Sequence, residues 1–194
     1  YAAIRGVFTD AITRRLFLLF GIAFLARQMS TPFLPILVET VHGSPVGLPS
    51  AIALVVGTAA LVGGLVSPAA GTIGDKVGFR PVLMAALLGA GISLVLMPIS
   101  PNVPLLALGN MAFAAFTAAV SAMVFGLLAL EAPPDRASAT LNLVYLPLYI
   151  SGIVGPAIGA VVVAAGVPVV FILSGLVFGL GAMYALGRIR GQTA

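Results

Sequence analysis

The sequence predicts an all-α membrane protein of six transmembrane helices, which an internal repeat arranges as two inverted three-helix units. Three observations carry this prediction: an apolar composition, six apolar stretches of membrane length, and basic residues gathered on one side. Of the 194 residues, 61% are hydrophobic and 7% charged, with a mean hydropathy of +1.22. Ordinary soluble domains carry about 25% charged residues. A chain with so few cannot cover a water-facing surface, so its solvent is mostly lipid.

A spanning helix needs about 20 mostly apolar residues. Six stretches meet that need: Leu16–Val38, Ser50–Ile73, Val82–Ile99, Leu105–Leu130, Leu141–Ala165 and Pro168–Leu186. The breaks between them, "HGSPVGLP", "GDKVGFRP", "SPNVP", "EAPPDRAS" and "GVP", are rich in Gly, Pro or Ser and read as turns. Apolar runs this long lack the period-two alternation of a barrel strand, which excludes a β-barrel. The organisation expected is a lead-in over 1–15, a first three-helix unit over 16–99, a second over 100–190, and a tail over 191–194.

The charges fix an orientation. Arg5, Arg14 and Arg15 precede the first span, Lys76 and Arg80 follow the second, Arg136 follows the fourth, and Arg188 and Arg190 follow the sixth. Six alternating spans put all eight on one side, whereas the opposite loops hold Glu39 and His42 but no Lys or Arg. The positive-inside rule then predicts a multi-pass protein of the cytoplasmic (plasma or inner) membrane with both ends cytoplasmic. His42 reads as a solvated loop residue. The absence of Cys leaves redox compartment undetermined. No secretory signal pattern opens the chain, and its first residue is Tyr rather than Met, so an upstream segment is expected.

An internal repeat emerges when Ser67–Arg80 ("SPAAGTIGDKVGFR") is laid on Gly155–Pro168 ("GPAIGAVVVAAGVP"), an offset of 88 residues. Pro68 meets Pro156, Ala69 meets Ala157, Gly71 meets Gly159 and Gly78 meets Gly166. Both segments join the second and third spans of a three-span unit. Three is odd, so the second unit is inverted, its turn lies outside, and the absence of charge from "AVVVAAGV" agrees. Inverted three-plus-three repeats within six spans are a plan of secondary transporters.

The turn "GTIGDKVGFR" carries a family resemblance. Gly71, Asp75, Lys76, Gly78, Arg80 and Leu83 spell G-x-x-x-D-K-x-G-x-R-x-x-L, which resembles the signature turn of the major facilitator superfamily, between the second and third helices of a six-helix half. "PFLP" at Pro32–Pro35 and "GPAIG" at Gly155–Gly159 resemble the drug-efflux branch. Phe79 departs from the pattern, since the family often has a basic residue there, and the substitution is expected to weaken any charge network. The resemblance implies that the chain is one half of a twelve-span protein, most simply the carboxy-terminal half. An amino-terminal half and a half-size transporter that pairs with itself are the alternatives. It also implies that Gly71, Asp75, Lys76, Gly78 and Arg80 form a cytoplasmic gate, and that the patch Gly152, Gly155, Pro156 and Gly159 takes part in the conformational cycle. Close helix packing explains the glycines of that patch equally well.

Arg27 is the foremost candidate for chemistry. It lies 11 residues from each expected end of its span, about 16 Å at 1.5 Å per residue. A charge at that depth costs at least about 2.5 kcal/mol unless it faces water or a partner. No Asp or Glu stands at that level in the sequence; Glu39 lies about 18 Å further along the same helix. Arg27 is therefore expected to face an aqueous cavity and to pair with a carboxylate of the missing half, an anionic substrate or helix-end carbonyls. A structural Arg bonded to backbone oxygens is the alternative. Gln28, its neighbour, points elsewhere around the helix. Asn110, and the face shared by Asn142, Tyr145 and Tyr149, are further cavity candidates, with interhelical hydrogen bonding as the competing role. Asp75 is the part of the turn that topology leaves unexplained, because acidic residues do little for orientation. It is suited to holding a helix amino terminus or to pairing with Arg80 or Arg136.

The function expected is secondary active transport of a small molecule by alternating access, in particular proton-coupled drug or multidrug efflux. The partners are a small-molecule substrate, protons, the lipid bilayer and a second six-helix half, with no role for nucleic acid. With no mid-membrane carboxylate in these spans, the proton site is expected in the other half. An organic-anion or sugar symporter or uniporter and a non-transporting scaffold are the alternatives. An enzyme is not expected, since HExxH, GxSxG and paired mid-membrane Asp residues are missing and the single His lies outside the spans; no cofactor or metal is called for.

Overall fold

The structure, a computed structural model, describes residues 11–43, 46–131, 143 and 145–189. Its helices are α1 (Ala11–Ser30), α2 (Leu34–His42), α3 (Leu48–Val77), α4 (Phe79–Leu96), α5 (Val103–Glu131), α6 (Tyr145–Val162) and α7 (Val167–Ile189), with 3-10 turns at Thr31–Phe33, Met97–Ile99 and Val163–Ala165. They make six spans long and apolar enough to cross a membrane: Thr13–His42, Leu48–Val77, Phe79–Ile99, Val103–Leu130, Tyr145–Ala165 and Val167–Leu186. Among the described residues there is no strand. Helices suit lipid because every backbone N–H and C=O within them is satisfied inside its own segment.

Several boundaries move outward from those expected. The second span runs to Val77 and the third starts at Phe79, so the expected break "GDKVGFRP" contracts to Gly78. The first charged residue marks where hydrocarbon ends, but Asp75 and Lys76 are ordinary helical residues that extend the helix by another turn beyond it. Gly78 makes the reversal at φ 101° and ψ 141°, a region that side chains with a Cβ avoid. The first span also changes in kind. Pro32 and Pro35 cannot donate backbone hydrogen bonds, and the helix passes through the 3-10 turn Thr31–Phe33 before resuming.

The packing obeys a simple exchange. Span 2 packs chiefly on span 4, and span 5 on span 1; span 3 packs on spans 4 and 6, and span 6 on spans 3 and 1. Swapping spans 1, 2, 3 for 4, 5, 6 leaves that set of neighbours unchanged, as two three-helix units related by a two-fold exchange require. Spans 2 and 5 each bury 17% of their most apolar window, against 44% for each of the other four. The exchange therefore holds for burial as well as for neighbours. It also reaches the backbone: Gly166, aligned with Gly78 by sequence, reverses the chain at φ 114° and ψ 146°.

The core lies among spans 1, 3, 4 and 6, with Phe20, Leu83, Leu87, Met123, Phe171 and Phe178 fully buried. Phe113 and Phe178 meet edge to face at 5.9 Å and 87°. At the crossing of spans 3 and 6, a Cβ on Gly91 would come within 2.8 Å of the Gly175 carbonyl, and one on Gly175 within 2.6 Å of the Gly91 carbonyl. Small residues there let two backbones touch, the usual basis of helix association in lipid, where burial of apolar surface gives no net drive.

Candidate functional site

Spans 1, 2 and 4 diverge around an open cavity of about 650 Å³. Each wall follows from its sequence. Span 1 contributes Arg27, Ser30, Thr31, Leu34 and Pro35, the segment in which the two prolines interrupt the helix. Span 2 contributes Val56, Ala59, Ala60, Gly63, Gly64 and Ser67, a face of small side chains that leaves the volume free. From span 4 come Asn110, Phe113, Ala114, Thr117, Ala118 and Ser121, spaced three and four apart so that one helix face carries them all. Leu94 and Met97 of span 3 and Phe171 of span 6 complete the lining. The size is that of a small-molecule site, and a mostly apolar lining with a few polar groups is what such sites have.

Arg27 is the one charged residue on the described lining. It stands near the middle of the Thr13–His42 span, so its expected depth persists in the longer helix. Its guanidinium carbon lies 5.8 Å from the centre of the Phe24 ring, within cation–π range. It makes no hydrogen bond or ion pair with another described residue. A second, smaller void of about 10 Å³ separates Arg27 and Phe24 from Thr117, Ser121 and Phe178.

The hydroxyls nearby are already committed as donors. Thr31 Oγ1 donates to the Arg27 carbonyl at 2.7 Å and Ser30 Oγ to the same carbonyl at 3.1 Å. Thr117 Oγ1 donates to the Phe113 carbonyl at 2.9 Å, and Ser121 Oγ to the Thr117 carbonyl at 3.0 Å. Asn110, buried, donates Nδ2–H to the Val55 carbonyl at 3.0 Å, tying span 4 to span 2 while lining the cavity. It thus bonds between helices and borders the cavity at once.

The other sequence candidates stand elsewhere. Gln28 packs against span 5, where a Cβ on Gly155 would meet its Cβ at 2.6 Å; the 100° step from Arg27 turns it off the cavity. Tyr145 and Tyr149 are exposed on span 5, their rings 6.5 Å apart, and neither lines this cavity. Asn142 lies outside the described residues, as do Arg5, Arg136 and Arg190. Gly152, Gly155 and Gly159 seat span 5 on the interrupted part of span 1: a Cβ on Gly159 would stand 2.5 Å from the Met29 carbonyl. Pro156 is inside the span 5 helix, and Ser151 Oγ adds a bond to the Gly21 carbonyl at 3.1 Å.

At the Gly78 end, Asp75 and Lys76 are exposed on the last turn of α3 and Arg80 is half-buried. Asp75 makes no hydrogen bond or ion pair with a described residue, so neither a capping bond nor a pair with Arg80 is present in this conformation. Phe79, in place of a basic residue, puts its ring into the notch left by Gly126 on span 4, against Gly74 and Met123. Phe79 thus ties the turn to span 4 by packing. Gly71 meets nothing within 4 Å, so close packing inside this bundle does not account for it.

Thr117, Ser121 and the small-residue wall of span 2 were not singled out from the sequence. The signal was available: Asn110, Thr117 and Ser121 recur at seven and four residues, one face of one helix.

A six-span helical bundle with neighbours exchanged between two halves, and a ligand-sized cavity bordered by a charged residue in the middle of a span, is the architecture of a membrane transport protein. The chain matches the Major Facilitator Superfamily over residues 16–193 and belongs to that family of transporters. No curated protein matches it. The bundle is of the kind that makes one half of a major facilitator fold.

Proposed function

We propose that the cavity around Arg27 is the substrate site of a secondary active transporter that exports small amphipathic molecules against a proton gradient. The observation that carries the reading is a guanidinium at mid-membrane that borders about 650 Å³ of open space and has no acidic neighbour among the described lining residues. Such a charge is tolerated where water or a ligand solvates it, and within a membrane it marks a transport path by default. Alternating access supplies the mechanism. A second six-helix half, on the same polypeptide or a second copy, covers the open side, and the two halves rock about the cavity. A carboxylate on that half carries the proton.

The "PFLP" and "GPAIG" segments support the efflux branch of this reading through their places in the fold. Pro35 and Leu34 line the cavity, and Gly155 and Gly159 press span 5 against the same interrupted stretch of span 1. A movement of span 5 is therefore felt behind Arg27. The basic residues at the Gly78 end support a cytoplasmic position for that end in a plasma or inner membrane, and in this reading the turn at Asp75 and Arg80 gates it.

The test is efflux of a fluorescent drug from reconstituted vesicles carrying a pH gradient. Ala60 lines the cavity and is exposed, so Ala60→Phe fills the space without disturbing the core. Gradient-dependent efflux that stops with Ala60→Phe is the expected result. Efflux that ignores the gradient removes proton coupling, and efflux unchanged by Ala60→Phe removes the cavity.

A further inference from the structure

The chemistry of the lining narrows the substrate beyond its size. A hydroxyl has one proton and two lone pairs. Thr31, Thr117 and Ser121 each spend that proton on a backbone carbonyl of their own helix, at 2.7, 2.9 and 3.0 Å. What these hydroxyls retain for a ligand is acceptor capacity. Asn110 spends one of its two N–H groups on Val55. Besides the Ser67 hydroxyl and the second N–H of Asn110, the donors left free on the described lining are those of Arg27, which offers a planar fork of five N–H groups suited to bidentate contact with a planar anion. Thr117 and Ser121 share both the large cavity and the small adjoining void with Arg27. One end of the site is thus cationic and rich in donors, with acceptors beside it, while the span 2 wall is apolar along Val56, Ala59, Ala60, Gly63 and Gly64.

We infer that the cavity selects a small organic monoanion, its carboxylate or equivalent planar anionic group held by Arg27 and a neighbouring hydroxyl or N–H of the ligand accepted by Thr117 and Ser121, with the apolar body along Ala59, Ala60 and Gly63. The inference rests on the transport reading and names the substrate class of the same site. It also accounts for an uncompensated guanidinium at this depth: the ligand brings the missing charge. The rival source of that charge is a carboxylate fixed on the covering half, which would leave the site indifferent to the charge of the ligand. A lone Arg that served only to anchor the helix would be equally indifferent.

The experiment measures binding to the intact, purified membrane protein of three probes: 4-hydroxy-2-naphthoate, whose hydroxyl is on the same ring as the carboxylate, its methyl ester, and 2-naphthoate. The acid is expected to bind about tenfold or more tightly than the ester, as hydrogen bonds to charged groups imply, and Arg27→Gln should abolish the difference. Thr117→Val should weaken 4-hydroxy-2-naphthoate about threefold and leave 2-naphthoate unchanged, as one neutral hydrogen bond implies. If Arg27→Gln fails to fold, Arg27→Lys carries the test, since it keeps the charge without the fork and should retain a reduced preference for the acid. Equal binding of acid and ester, or a preference that survives Arg27→Gln or is undiminished by Arg27→Lys, overturns the anion. A Thr117→Val effect equal on both naphthoates overturns the acceptor role. Ala60→Phe separates the two readings. Binding of acid and ester alike that is lost with Ala60→Phe keeps the cavity and rejects the anion; binding of all probes that survives Ala60→Phe rejects both.

Discussion

Gly78 and Gly166 hold nearly the same backbone, φ 101° and ψ 141° against φ 114° and ψ 146°, at aligned positions in the two three-helix units. Their surroundings differ. Asp75, Lys76 and Arg80 flank the first, while the aligned stretch before Gly166 is apolar, with Val163 standing at the position of Asp75. The mid-membrane Arg27 also belongs to the first unit. The repeated feature is therefore the backbone, which the fold requires twice, and the unrepeated feature is charge, which the proposed topology and transport call for once. The comparison also shows where the exchange is imperfect. Gly71 and Gly159 are aligned, yet a Cβ on Gly71 would meet nothing within 4 Å whereas one on Gly159 would run into the Met29 carbonyl and the Phe33 ring.

That contrast gives the largest expected effect. Gly159→Leu forces span 5 off span 1 and should lose several kcal/mol or fail to assemble, because the obstacle is backbone and an overpacked core costs about 1–3 kcal/mol even where side chains can move. Gly71→Leu should leave the folded yield of the bundle unchanged. Detergent-solubilised yield and melting temperature of the two variants break the comparison if they fall together.

Gly78→Ala and Gly166→Ala sharpen it. Both force a Cβ into a backbone region that is nearly restricted to glycine, at about 1–3 kcal/mol each. Equal destabilisation by thermal unfolding is expected, and a loss confined to one would mean the two reversals are not equivalent.

Asp75→Asn should act on rate instead of stability, since the exposed carboxylate has no bonding partner among the described residues in this conformation. A gate contact formed only in the other conformation, at the 1–3 kcal/mol typical of conformational coupling, predicts transport slower by about fivefold or more with the protein level unchanged. Normal transport would remove the gate.

The smallest effect is Ser151→Ala. Loss of its 3.1 Å bond to the Gly21 carbonyl should cost about 0.6 kcal/mol, the usual worth of such a bond in membranes. A much larger loss would mean that polar bonds, and not glycine contacts, hold span 5 to span 1.

The sequence made the spans legible because lipid imposes a length and a polarity that no other solvent does. The Pro and Gly alignment at an offset of 88 foreshadowed both the exchange of neighbours and the matched reversals. Arg27 was legible for the same reason, as a charge where charge is expensive. Helix ends were less so, because helices continue past the hydrocarbon edge through Asp75 and Lys76. Thr117 and Ser121 went unnoticed because hydroxyls are cheap inside helices when they bond back to the preceding turn, and only the divergence of spans 1, 2 and 4 reveals that they border open space. The part of Phe79 was hidden for a similar reason. Its value depends on Gly126, 47 residues away, and pattern reasoning saw only a missing basic residue.

The central claim, that water and substrate share the cavity beside Arg27, has a direct measurement. The chain contains no cysteine, so Ala60→Cys introduces one thiol on the cavity wall and Ile92→Cys one on the exposed face of span 3. Labelling of the intact protein in membranes with a hydrophilic methanethiosulfonate, with and without a transported substrate, reads both water and occupancy. Fast labelling at position 60 that substrate slows, with slow labelling at position 92 in either condition, is the predicted result. No labelling at position 60, or labelling that a transported substrate leaves unchanged, would contradict the account.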